Sequence, residues 1–311
     1  MKVISLGAHI LDVLGKYVTE IPEGQGGALI DEIRLSPAGA AGGTAVILAK
    51  LGAETLSVGA VGKDDAGNVL VQMLERFGVN CEHLMRHDGV QTSCTILPIR
   101  PTGERPALHV IGANGTIDPE ELPWDEIASA DYLHVGGPEF LGPDNAVRVL
   151  KFCRENDVTT SADILADGWP ELLDILAPAF EHLDYLLLNE DQAMAMTGED
   201  DPAAAGKALL EKGVGAVALT AGAEGSILVS PEGTLKVPAF EVEVVDTTGC
   251  GDAYTAGFLR GLSLGHDSER AATIGSATAA QVAQGLGTDA GEFDLDTVLE
   301  FADSAPKLVP G

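Results

Sequence analysis

Cationic side chains are scarce in this sequence. Eighteen lysines and arginines face 48 aspartates and glutamates, a formal charge of −30 over 311 residues. A surface of that sign repels phosphate backbones, so nucleic acid and anionic membrane are excluded as expected partners. Cysteine is sparse too. Cys81, Cys94, Cys153 and Cys250 lie far apart with no C-x-x-C pair, which argues against a disulfide framework or zinc site and for a reducing, cytoplasmic setting. The seven histidines are scattered. No H-E-x-x-H, Walker A run or G-x-S-x-G elbow occurs, which removes zinc peptidases, P-loop NTPases and α/β-hydrolases. The chain opens on a strand-like Val3–Leu6 with no basic leader or long apolar run, so neither a signal peptide nor a membrane span is expected. Only two tryptophans occur, Trp124 and Trp169, and they read as packing residues.

Glycine is abundant, at 38 residues, and hydrophobic residues make up 45%. That composition supports a large core with many tight turns. The length permits one large domain or two small ones, and one α/β core with an appendage fits it. From Tyr132 to Thr220 short apolar strands alternate with amphipathic helices, the pattern of a mainly parallel sheet covered on both faces. Two segments depart from it. Residues 13–37 and 94–111 read as exposed strands and turns, the second folded about Pro101-Thr102-Gly103-Glu104. They are separated in sequence and can pair into one small sheet over the core. Ser304 to Gly311 reads as a loose tail.

The chain is organised around Val245-Asp246-Thr247-Thr248-Gly249-Cys250-Gly251-Asp252. An alternating apolar run leads in from Phe240 and a helical run leads out from Ala253. Glycines at a helix start bring backbone N–H groups and the positive end of the helix dipole to one point, a site suited to phosphate. Asp252 stands at its edge. It is either the helix N-cap or a base that takes a proton from a hydroxyl attacking the phosphate.

The octet resembles the second signature of the ribokinase-like, or PfkB, family of carbohydrate and nucleoside kinases. The resemblance spans nearly the whole chain. It implies a three-layer α/β core with a mainly parallel central sheet flanked by helices and a small β-sheet lid, in one kinase domain over residues 1–311. It makes Asp252 the catalytic base and the Gly249, Cys250 and Gly251 backbone the anion hole, with cysteine where relatives usually carry alanine. ATP and Mg²⁺ follow as cofactors, with a small sugar or nucleoside as substrate. The lid becomes a cover for the sugar site and, in several members, the contact of a homodimer.

Further positions are carried over in the same way. Asp12, on its own a loop aspartate after the first strand, matches the substrate aspartate. Gly39 to Gly43 resembles the first signature, except that relatives place asparagine at Gly43. Gly62 and Asp64 fall near the sugar pocket. Asn114, otherwise a turn asparagine, matches an element that touches substrate near the lid hinge. Asn189 opens the family's Asn-x-x-Glu element, involved in placing Mg²⁺ and phosphate, but Gln192 replaces the glutamate, and helical geometry points Glu190 and Asp191 elsewhere. Thr220, Gly222 and Gly225 match the nucleotide-side loop, Thr247 joins them, and Ser276 matches a position near the adenine. Three readings stay open: a sugar kinase, a nucleoside kinase with the same machinery, and a non-catalytic binding protein of inherited fold.

Overall fold

The structure, a computed structural model, describes residues 1–308. The chain runs β1 (Lys2–Gly7), β2 (Ile10–Lys16), β3 (Glu32–Ala38), α1 (Gly42–Lys50), β4 (Glu54–Gly62), α2 (Asp65–Arg76), β5 (Asn80–His87), β6 (Cys94–Pro98) and β7 (Leu108–Val110). It continues α3 (Trp124–Ala128), β8 (Tyr132–Gly136), α4 (Pro143–Glu155), β9 (Thr159–Asp163), α5 (Pro170–Phe180), β10 (Tyr185–Asn189), α6 (Glu190–Thr197), α7 (Pro202–Leu210) and β11 (Ala216–Thr220). The hairpin β12 (Ser226–Ser230) and β13 (Gly233–Val237) precedes α8 (Cys250–Ser263), α9 (Ser268–Ala283) and α10 (Leu295–Ser304).

The central sheet has nine strands in the order β13-β12-β11-β10-β9-β8-β1-β4-β5. It is parallel except at the β12–β13 hairpin edge. Alternate residues of β1 feed opposite faces, as strand periodicity requires. Ile4 and Leu6 join one apolar layer with Leu150 of α4, Leu176 of α5 and Leu209 of α7. Val3 joins the other, with Ile47 of α1, Ala256 of α8 and Val298 of α10. The result is the expected three-layer α/β architecture. The small residues of α8 and α9 serve close helix packing: a Cβ on Gly261 would stand 2.8 Å from the Ala271 Cα.

The second sheet, β3-β2-β6-β7, is the lid, and the two separated segments do pair in it. It begins at Ile10, earlier than residue 13. Asp12 is therefore a strand residue of the lid, opposite Ser36 and Thr95, rather than part of a loop beyond β1. Its neighbours Val13, Leu35, Ile96 and Leu108 form an apolar row across all four strands on the opposite face.

Two other expectations change. The run from Phe240 to Asp246 is no strand; apart from one bridge from Phe240 to Lys307 it follows the protein irregularly, with Val245 and Asp246 donating to the Ala283 carbonyl. Its alternation lines a cavity wall instead. The tail is docked as far as described, since Glu241 donates to Pro306 and Leu308 to Ala239; residues 309–311 of the expected loose tail lie outside the described residues. Strand β5 and helices α3 and α10 add to the elements expected from the sequence. β5 is a polar edge strand, and α10 begins behind an Asp294 cap. No helix among the described residues is long and apolar enough to cross a membrane.

Candidate active site

Parallel strands place ligands beyond their carboxyl ends. Asp163, Asn189 and Thr220 are the last residues of the adjacent strands β9, β10 and β11, and all three line a cavity of about 490 Å³. Helix α8 starts on the same cavity. Gly249 is its N-cap at φ +78, a conformation glycine adopts without steric cost. It also lies against Thr288, 2.4 Å from where a Cβ would meet that hydroxyl. Asp252 is thus in the first turn and is not the cap. Among the described residues the N–H groups of Gly251 and Asp252 meet no acceptor in the chain. A Cβ on Gly251 would face open space. Two free donors and a bare backbone at a helix N-terminus are what an anion requires.

The turn is braced from behind. The Asp246 carboxylate accepts from the Thr248 N–H and hydroxyl with one oxygen, and from the Gly287 N–H with the other. Segment 285–291 is held in turn by Lys50, whose ammonium donates to the Asp289, Ala290 and Gly291 carbonyls and lies 3.7 Å above the Phe293 ring.

Two more cavities adjoin. One, of about 280 Å³, is apolar, walled by Phe240, Val242, Val244, Ala279, Ala283 and Leu308, and it reaches Gly225 and Ser276. The other, of about 580 Å³, lies under the lid and contains Asp12, Gly39, Thr95, His109 and Asp167. The central cavity shares Thr220, Gly222, Thr247, Cys250 and Gly251 with the apolar one. It shares Arg105, Gly249 and Asp252 with the lid cavity. The three form one cleft, with Asp252 where the central and lid compartments meet.

Electrostatics set the protonation of that junction. Burial, and then the nearby Asp12 carboxylate, push the Asp252 pKa up to about 8, while the Arg105 guanidinium pulls it down. Burial also raises Asp12 to about 6 against the hydrogen bond from Thr95 and the charge of Arg105. Asp163 is raised by burial and by Asp252. Mutually repelling buried carboxylates in a cleft are candidates for proton transfer.

The pattern that defines the pfkB family of carbohydrate kinases matches residues 2–294. This chain belongs to that family. It is similar to the ATP-dependent ribose-1-phosphate kinase of Halopiger xanaduensis, 32% identical over 286 residues that cover 91% of this chain and 92% of the relative. Among solved structures it resembles the ribokinase of Thermotoga maritima, with a TM-score of 0.81, 25% identity and coverage of 97% and 99% of the two chains. It also resembles the nucleoside kinase of Methanocaldococcus jannaschii, with a TM-score of 0.78, 26% identity and coverage of 97% and 98%.

Within this pfkB-family kinase the structure gathers most of the carried-over positions into the cleft, and four stand elsewhere: Gly62, packed against Val90 and Thr92, and Asp64, Asn114 and Gly43. Asp64 caps α2 and spends its carboxylate on the Gly67 N–H and on the Thr92 N–H and hydroxyl; burial raises its pKa, but these hydrogen bonds together outweigh it and hold the value below the ordinary one. It lines none of the three cavities. Asn114 is buried, lines none of the three cavities and accepts from the His9 N–H, pinning the turn between β1 and β2. Gly43 lies behind Asp252: a Cβ there would stand 2.2 Å from the Asp252 Oδ2. Asparagine therefore has no room while the carboxylate holds this position.

Gln192 also has a physical explanation. Its Oε1 accepts from the Asn189 N–H while Nε2 donates to the Ile164 and Ala166 carbonyls. Glutamate could not make the last two bonds. Glu190 and Asp191, expected to point elsewhere, do line the central cavity. Sequence reading missed Arg105, Asp163 and Thr288. Asp163 could have been found as the acidic end of a parallel strand, and Arg105 was hidden beside an ordinary hairpin turn.

Proposed function

We propose that this kinase transfers the γ-phosphoryl group of ATP to a hydroxymethyl group of a small sugar or sugar-like acceptor. The observation that carries the reading is the position of Asp252, between a compartment with free backbone donors and a compartment rich in hydrogen-bonding side chains. The apolar cavity beside Ser276 suits a purine ring. The central compartment suits the phosphates, with Asn189, Thr220 and Gly222 along its wall. The lid compartment suits the acceptor, with Asp12 accepting hydroxyl hydrogen bonds.

Asp252 accepts the proton of the attacking hydroxyl as its oxygen bonds to phosphorus and the bond from phosphorus to ADP breaks. Burial and the Asp12 carboxylate raise the Asp252 pKa to about 8, which makes the ionised carboxylate a stronger base. The N–H groups of Gly251 and Asp252 receive the charge that develops on the phosphoryl oxygens.

Among the described residues no cluster of three or more His, Cys, Asp or Glu side chains is arranged to cage a metal. The carboxylates of Asp163, Glu190 and Asp191 along the central cavity nonetheless offer the oxygen donors that suit Mg²⁺, which keeps several waters and takes much of its coordination from phosphates. When bound, Mg²⁺ neutralises phosphate charge. Gln192 takes no part, since both ends of its amide are engaged.

The relatives named above act on a phosphorylated pentose, a free pentose and nucleosides, so the acceptor is assigned by a screen. ADP release is measured with ribose, ribose 1-phosphate, sugar acids, adenosine and inosine, with Asp252→Asn as background. Turnover on a sugar or sugar phosphate, reduced about 10²–10⁴-fold by Asp252→Asn, is the expected result. Turnover on nucleosides alone makes the protein a nucleoside kinase. Binding without turnover on any acceptor makes it a non-catalytic member of the family.

A further inference from the structure

In a chain with only 18 lysines and arginines, Arg105 is the one such side chain lining any of the three cavities, and it lines two. Those two are the phosphate and acceptor compartments, so the guanidinium stands at their junction beside Gly249 and Asp252. It comes from the lid, between β6 and β7. One of its nitrogens donates to the Thr248 hydroxyl at 3.1 Å. That hydroxyl donates its own hydrogen to Asp246, so Thr248 can only accept from the arginine. The brace that fixes the octet turn therefore also orients the guanidinium.

Arg105 also forms no ion pair among the described residues, although Asp12 and Asp252 share its cavity. One of its five donors is committed and the rest are available to a ligand. A planar fork of donors fits phosphate oxygens two at a time.

From this placement we infer that Arg105 is a catalytic residue that grips the transferring phosphoryl group, delivered when the lid covers the acceptor. The inference rests on the kinase reading above. In the reaction the phosphoryl group leaves ADP for the acceptor oxygen and the hydroxyl proton goes to Asp252. Arg105 stays protonated throughout and, with the N–H groups of Gly251 and Asp252, stabilises the charge on the transferring phosphoryl oxygens. Because the lid carries Arg105, the charge stabilisation it supplies depends on the lid's position over the acceptor compartment.

The test uses Arg105→Gln and Arg105→Lys with the best acceptor from the screen. Arg105→Gln is expected to lower kcat about 10²–10³-fold, the size of losing one strong oxyanion donor. The melting temperature should stay unchanged and the acceptor KM should move far less than kcat. Lysine, without the fork, should restore only part of the rate. Added guanidinium should rescue the glutamine variant and leave wild type unaffected, a response that a merely structural arginine would not give. An unchanged kcat overturns the inference. So does a loss confined to the KM of anionic acceptors, which would make Arg105 a reader of acceptor charge.

A second measurement separates this failure from failure of the kinase reading. ADP with fluoroaluminate mimics the planar phosphoryl group and needs no turnover. Arg105→Gln should weaken its binding at least as much as it lowers kcat while leaving ADP binding alone. Equal affinity in both proteins overturns the role of Arg105 whatever the acceptor screen shows.

Discussion

Gly43→Ala tests whether the position of Asp252 is the working one. The added Cβ would lie 2.2 Å from the Asp252 Oδ2, 2.8 Å from its Cγ and 2.9 Å from the Thr288 Cγ2. Non-bonded atoms of this kind rest about 3.5 Å apart, so the carboxylate must retreat by roughly 1 Å. Thr288 cannot yield instead without disturbing Gly249, which it touches from the other side. A displacement of that size can cost about 10²-fold in turnover. The stability balance is much closer to even. Overpacking costs about 1–3 kcal/mol, while replacing a glycine inside α1 returns up to about 1 kcal/mol. The expected signature is therefore a small fall in melting temperature beside a large fall in kcat, read by calorimetry and by ADP release. Gly43→Asn should be at least as impaired, although relatives usually carry asparagine there. Turnover by Gly43→Ala within about threefold of wild type, which is under 1 kcal/mol in barrier, refutes the reasoning.

The raised Asp252 pKa predicts that kcat/KM climbs with pH through about 8, and Asp12→Asn should move that limb to lower pH by removing the second-largest cause of the shift. Since a carboxyl with a raised folded pKa loses stability as pH rises from its unfolded value of 3.8 towards about 8, the melting-temperature advantage of Asp252→Asn over wild type should grow across that window. Lys50→Met removes the donor to three carbonyls and the contact with Phe293; the unfilled carbonyls should cost about 1–3 kcal/mol, with kcat falling as well because Thr288 sits on the loosened segment. The lid's outer face exposes Ile96 at 53% and Leu108 at 65%, so a dimer through the lid is expected by light scattering, and Ile96→Asp with Leu108→Asp should give a monomer; a wild-type monomer at micromolar concentration refutes it.

What was legible in the sequence followed from local periodicity and local turn chemistry. The strand-helix alternation from Tyr132 to Thr220 gave the parallel sheet because each element buries its own apolar face. The Gly249–Asp252 turn was legible because its geometry is set within eight residues. The illegible parts depend on what lies opposite in space. The run from Phe240 alternates like a strand, yet its backbone finds no neighbouring edge beyond one bridge. Asp64 and Asn114 were carried over by position, and only their partners Thr92 and His9 show where their hydrogen bonds go. Arg105 had no local signal because the hydroxyl that orients it is 143 residues away.

The same long-range logic bears on how a strongly acidic protein would hold the polyanion proposed above. Cationic side chains are not concentrated in the cleft; in the proposed reading the backbone dipole and free N–H groups at α8 take their place. The few cations near the site are placed where one charge changes geometry as well as potential. Lys50 draws together three carbonyls of the segment that carries Thr288, and Thr288 packs against Gly249. From that segment Asp289 reaches Ser36 and Arg34 on lid strand β3, while Gly287 binds Asp246 of the octet turn. Segment 285–291 is thus bonded to the lid, to α1 and to the octet turn at once, so a lid movement that pulls on Asp289 also acts on the turn proposed to hold the phosphoryl group. Ser36→Ala weakens that link without touching the cleft and should separate lid closure from turnover, whereas a substitution on the outer lid face should not.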